Sequence, residues 1–187
     1  MTLAAVVLAA GAGTRFGSDK LSAHFRGEPL IVHAIRAARA APVSRVVVAC
    51  PAGLSLATWP NDPPVEKLPI RSAELSASLK AGIAAVADAE GAFVFLGDMP
   101  LVPHAVAAEL AAALGEAYAA APCFEGTRGH PVLLSARAMA DIPSLTGDQG
   151  AGRLLRTRRD VVLLDCAAQG VVLDVDRPED LARLQAL

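Results

Sequence analysis

Apolar residues along this 187-residue chain follow two alternating rhythms. Leu3 to Ala10, Val43 to Cys50, Gly91 to Leu96 and Ala119 to Phe124 are apolar at nearly every position. Such runs read as strands covered on both faces. Between them, apolar residues recur every three or four positions: Leu30, Ala34, Ile35 and Ala38; Leu79, Ile83 and Val86; Val106, Leu110, Leu114 and Ala117. That is the period of a helix with one buried face. The alternation predicts a three-layer α/β/α fold with a mostly parallel, Rossmann-like sheet.

Punctuation refines the elements. Pro29 suits the first turn of the first helix, and Ser76 the N-cap of the second; the third runs on through Gly115. Residues 51–72 hold Pro51, Pro60, Pro63, Pro64 and Pro69, and read as irregular connection with a short edge strand near Val65 to Leu68. Gly129-His130-Pro131 is a turn into another strand. The loop from Thr146 to Gly152 enters a short helix, Val161 to Leu164 and Val171 to Asp176 are the last strands, and Pro178 to Leu184 closes the chain as a helix. With no repeat and no linker composition, residues 1–187 are expected to form one domain.

Composition narrows the chemistry. Hydrophobic residues make up 53% and aromatics 4%, so the core must be Ala, Val and Leu. A net charge of −2 offers no basic footprint for nucleic acid. Cys50, Cys123 and Cys166 are scattered without a Cys-x-x-Cys pair, which points to a reducing, cytoplasmic setting rather than a zinc site or disulfide framework. The apolar N-terminus lacks the basic flank of a signal peptide, and no run approaches a membrane span.

The stretch Leu8-Ala9-Ala10-Gly11-Ala12-Gly13-Thr-Arg15-Phe-Gly17-Ser-Asp-Lys20 follows the first strand. Its glycines are spaced two and then four apart, one residue too far for the dinucleotide fingerprint, and no Gly-Lys-Ser/Thr completes a P-loop. Either it is a plain glycine turn, or its amides and the cations Arg15 and Lys20 receive phosphate oxygens. Asp98, directly after the strand ending at Leu96, would repel such a ligand unless a cation bridged them. Mg²⁺ is the ion that joins carboxylates to phosphates. Asp98 could otherwise be a self-satisfied turn former. Asp174 and Asp176 compete for a second metal position, though Asp176-Arg-Pro-Glu179 also has capping-box spacing. His130 is either a surface turn residue or part of the cleft, and Asp148 among glycines either a cap or part of an anion site.

Taken together, Leu8-Ala-Ala-Gly11 with Arg15, Gly17 and Lys20, Ser76-x-Ser78-Leu-x-x-Gly82, Gly97-Asp98-Met99-Pro100, Gly129-His130-Pro131-Val, Gly147-Asp148-x-Gly150 and Asp174-Val-Asp176-x-Pro178 resemble the nucleotidyltransferases of molybdenum cofactor biosynthesis. The motifs stand in that family's order from residue 3 to residue 181. The resemblance implies a nucleotide-diphospho-sugar transferase type of fold and the joining of a nucleoside triphosphate to the phosphate of molybdopterin, with release of pyrophosphate. Leu-Ala-Ala-Gly with Gly-His-Pro-Val resembles the cytidylyltransferase branch, which implies CTP rather than GTP. On the same footing, Leu8, Ala9, Ala10, Gly11, Ala12, Gly13, Lys20, Ser76, Ser78, Gly82 and Asp98 would line the nucleotide. Arg15, Lys20 and Asp98 would carry the chemistry, and Asp98 with Asp174 and Asp176 would hold Mg²⁺. Met99, Pro100, His130 and Asp148 would face the acceptor, and a molybdenum hydroxylase would receive the product. The rival readings are a non-catalytic carrier of the pterin cofactor and a nicotinamide-dependent oxidoreductase.

Overall fold

A computed structural model describes residues 1–11, 16, 19–72, 74–147 and 149–187. Strand β1 (Leu3–Leu8) is buried at every position, as its uninterrupted apolar run requires. A 3₁₀ turn at Lys20–Ser22 and a small hairpin, β2 (His24–Phe25) with β3 (Glu28–Pro29), lead into helix α1 (Leu30–Arg39). The elements that follow are β4 (Val46–Cys50), β5 (Val65–Pro69), α2 (Leu75–Ala85), β6 (Gly91–Leu96) and α3 (Val106–Ala113). Next come β7 (Ala119–Phe124), β8 (Thr127–Arg128), β9 (Val132–Ser135) and α4 (Ala136–Asp141), then α5 (Ala151–Arg156), β10 (Val161–Asp165) and α6 (Pro178–Gln185).

The main sheet has eight strands in the order β10-β7-β9-β6-β1-β4-β5, with β8 paired to β7. β1 lies between β4 and β6, parallel to both, and β4–β5 and β7–β10 are parallel as well. β9 runs antiparallel to β6 and β7. Successive side chains of a strand point to opposite faces, so β1 divides its residues between two cores. Leu3, Ala5 and Val7 join residues of α1, α3 and α6 on one side, while Ala4, Val6 and Leu8 join residues of α2, α4 and α5 on the other. The expected three layers result.

Several expectations are corrected. α3 stops at Ala113, and Gly115 lies beyond it with φ +47°, a left-handed conformation that ends helices rather than continuing them. The N-cap of α2 is Glu74, not Ser76. Residues Val171 to Asp176 form no strand: a 3₁₀ turn at Gln169–Val171 passes into irregular chain. α4 is not foreshadowed by the apolar spacing; its N-cap is Ser135, whose Oγ accepts from Ala138 N. No helix among the described residues is long and apolar enough to cross a membrane.

Candidate functional site

β1 and β6 are neighbours in register and end together, with Gly97 N donating to Leu8 O at 2.9 Å. A Cβ on Gly97 would stand 3.1 Å from Ala9 Cβ and 3.2 Å from Leu8 O. Glycine therefore lets the two strand ends close up and sets Asp98 at the carboxyl edge of the sheet, where ligands of open α/β sheets bind. Of the two residues after Asp98, Met99 is 3% exposed and packs within the core, and Pro100 is buried.

Lys20 Nζ donates to Asp98 Oδ2 at 2.7 Å and lies 3.5 Å from Asp176 Oδ1. Asp174 completes the group: one carboxylate oxygen from each of Asp98, Asp174 and Asp176 can be chosen so that all lie within 4.8 Å of one another. Their convergence is imposed by Val175. Its N–H donates to Asp98 O at 3.0 Å and its side chain is fully buried, so the flanking residues 174 and 176 are both presented at the rim. The capping expected of Asp176 falls to Asp180, whose Oδ2 accepts from Asp176 N at 3.1 Å and Arg177 N at 2.9 Å. Desolvation, then the charges of Asp98 and Asp176, hold the Asp174 pKa above its ordinary value; Lys20 pulls the other way. Crowded carboxylates of this kind are a hard-oxygen donor set, which fits Mg²⁺ or Mn²⁺.

His130 enters from the other half of the sheet. Its N–H donates to Val171 O at 2.8 Å, and a Cβ on Gly129 would fall 2.2 Å from that same oxygen. Only glycine permits the 3₁₀ turn to press so closely on this strand connection. His130 Nδ1 lies 3.4 Å from Val94 O, and burial pushes the imidazole pKa down, against the Val94 carbonyl and the charge of Asp98. The ring borders a cavity of about 790 Å³ whose walls include Leu8, Leu79, Leu96, Arg128 and Gly150.

At the start of α2, Ser76 and Ser78 are buried at 3% and 2% exposure. Ser76 N donates to Gly147 O at 3.1 Å, and Ser78 Oγ to Leu75 O at 2.9 Å. Ala9 and Ala10 are buried at the end of β1, whereas Gly11 is exposed. Gly82 faces the sheet: a Cβ there would stand 2.4 Å from Val6 Cγ1, so close packing of α2 on β1 accounts for glycine at that position. Ala12, Gly13, Arg15 and Asp148 lie outside the described residues. The structure thus brings Lys20, Asp98, Asp174 and Asp176 together, with His130 within electrostatic reach of Asp98. Arg128, at the wall of the same cavity, is not among the residues expected from spacing; its one sequence signal is its place immediately before Gly129-His130-Pro131.

Known proteins resemble this arrangement along its whole length. The "probable molybdenum cofactor guanylyltransferase" of Deinococcus radiodurans is 31% identical over 98% of this chain and 94% of its own. The crystal structure of the Mycobacterium tuberculosis Rv0371c homolog from Mycobacterium sp. strain JC1 superposes with a TM-score of 0.85, at 28% identity over 98% of this chain and 95% of that one. Rv0371c of M. tuberculosis H37Rv, solved in complex with manganese, gives a TM-score of 0.84 at 25% identity over 100% and 99%. A family model for the MobA-like NTP transferase domain matches residues 5–162. The chain belongs to that family of nucleotidyltransferases, and its sheet is of the nucleotide-diphospho-sugar transferase type.

Proposed function

We propose that this nucleotidyltransferase joins CTP to the phosphate of molybdopterin and releases pyrophosphate, in the cytoplasm, with the product passing to a molybdenum hydroxylase. The observation that carries the reading is the meeting of Lys20 with Asp98 and Asp176, 2.7 and 3.5 Å away, at the carboxyl edge of the sheet. The triphosphate lies along Gly11 to Gly17, with Ala9, Ala10, Ser76 and Ser78 toward the base and Arg15 and Lys20 on the phosphate oxygens. Asp98, with Asp174 and Asp176, would hold Mg²⁺, which when bound supplies positive charge to the triphosphate. His130 and Asp148 face the acceptor.

Transfer of this kind asks the chain for positioning and charge stabilisation rather than covalent chemistry. The acceptor phosphate is already ionised at neutral pH, so no side chain need act as its base. Lys20 and Arg15 stabilise the negative charge that builds on the departing pyrophosphate.

The Leu8-Ala9-Ala10-Gly11 form supports cytosine as the base. A second reading, guanine, is favoured by the name of the D. radiodurans relative. Thermal shifts with CTP, GTP, ATP and UTP, each with Mg²⁺, separate them, because a ligand that binds only the native state raises its melting point. CTP should give the largest shift; a larger shift with GTP transfers the assignment to guanine. Pyrophosphate release from the nucleotide and molybdopterin then tests the reaction. Asp98→Asn should lower it by about a hundredfold or more, in the range of a lost preorganised charge, with folding intact. Near-normal release by that variant removes Asp98 from the mechanism, and pterin binding without release makes the chain a carrier.

A further inference from the structure

The cavity beside His130 carries charge of the opposite sign to the aspartate cluster. Arg128, Arg153, Arg156 and Arg158 line it, together with the carboxylate of Asp141. Two of these charges are engaged: Arg158 pairs with Asp160 at 2.8 Å, and Asp141 accepts from the Tyr118 hydroxyl at 2.8 Å. Arg128, Arg153 and Arg156 have no carboxylate within ion-pair distance among the described residues. Guanidinium groups at a cavity wall, unpaired with acids among the described residues, are suited to an anion, and their fork grips phosphate with two parallel bonds.

Arg128 is the most constrained of the three. It is half-buried on β8, and its Nη2 donates to Gly152 O at 3.3 Å. A Cβ on Gly152 would meet that same Nη2 at 3.1 Å, so the bare backbone of α5 gives the guanidinium its seat. Two residues further on stands His130, whose imidazole feels the charges of both Asp98 and Arg128. A ligand in the cavity would thus lie beside His130, with Arg128 on one side and the carboxyl edge of β6 on the other.

We propose that Arg128, seated against Gly152, is the anchor for the phosphomonoester of the acceptor in this cavity. The inference rests on the nucleotidyl-transfer reading and adds to it the residue that selects a phosphorylated acceptor. It also makes Gly152 a positioning residue, acting only through Arg128.

Fluorescence titration with the oxidised pterin, carrying or lacking its phosphate, tests this on the full chain, with melting curves and the CTP and GTP shifts read on the same samples. The wild type should prefer the phosphorylated pterin by roughly tenfold or more, the scale of a charge-assisted pair. Arg128→Met should abolish the preference while the nucleotide shift persists. Arg128→Lys should keep part of it, having the charge without the fork. Gly152→Ala, whose Cβ would meet the guanidinium end at 3.1 Å and ask it to shift slightly, should trim the preference without abolishing it, and Arg128→Lys serves if Arg128→Met does not fold. A preference that survives in Arg128→Met, or is undiminished in Arg128→Lys, overturns the assignment, as does a wild type that binds both pterins equally. The transferase reading is judged separately, by the nucleotide shift and pyrophosphate release.

Discussion

Val175 N–H donates to the carbonyl oxygen of Asp98 at 3.0 Å, and this one backbone bond ties the acidic segment near the C-terminus to the end of a central strand. With the Val175 side chain wholly buried between them, Asp174 and Asp176 have to flank it at the rim. Val175→Ala should cost ~2 kcal/mol, the scale of a buried valine, and weaken Mn²⁺ binding by the still-folded protein. Calorimetric titration with Mn²⁺ well below the melting point reads the second effect. A lower melting temperature with unchanged Mn²⁺ affinity would show that the carboxylates converge without this anchor.

Lys20 neutralises the same cluster through Asp98 and Asp176. Removing the ammonium raises the negative potential felt by a cation while taking a positive charge away from the phosphates. Lys20→Met should therefore bind Mn²⁺ several-fold more tightly in the absence of nucleotide, yet give a smaller thermal shift with nucleoside triphosphate. Weaker Mn²⁺ binding in the titration would contradict this account.

Gly82 is a packing glycine. The 2.4 Å approach of an added Cβ to Val6 Cγ1 has to be relieved by displacing α2 or turning a β-branched side chain in a filled core. Gly82→Ala should lower stability by about 1–3 kcal/mol, the usual cost of overpacking. Val6→Ala should recover part of that loss in the double variant, although it is destabilising alone. Strict additivity in denaturant titrations would mean that the two residues do not compete for space.

His130 gives the fold an acid-sensitive point. Its imidazole pKa is depressed below 6.5, first by burial, so the native state resists a proton that the unfolded chain accepts. Stability from this group is complete above about pH 6.5, the ordinary histidine value, and falls as pH drops from there toward the native pKa. His130→Gln should flatten that acid limb in melting curves between about pH 8 and pH 5. An equally steep limb in the variant would assign the loss to other groups.

Much of this arrangement was legible from spacing. The strand ending at Leu96 with Asp98 two residues on, the helix beginning at Leu30, and the strand from Ala119 to Phe124 all stand where local pattern places them. Where local reading failed, a distant contact had won. Val171 to Asp176 has the apolar content of a strand, but its ladder partners are replaced by His130 N, which donates to Val171 O, and by Asp98 O, which accepts from Val175 N.

The chain's own order of residues determined the layered α/β architecture, the carboxylate at the end of the third buried run and the glycine-rich segment after the first. Each of these depends on periodicity or on immediate neighbours, and such information is local. Only the tertiary structure decided that Lys20, Asp98, Asp174 and Asp176 meet, that Asp180 rather than Asp176 caps the last helix, and that Arg128 rests on the backbone of Gly152. Those facts depend on close approach between segments far apart in the chain, which β-sheet register and the bare surfaces of glycines 97, 129 and 152 permit.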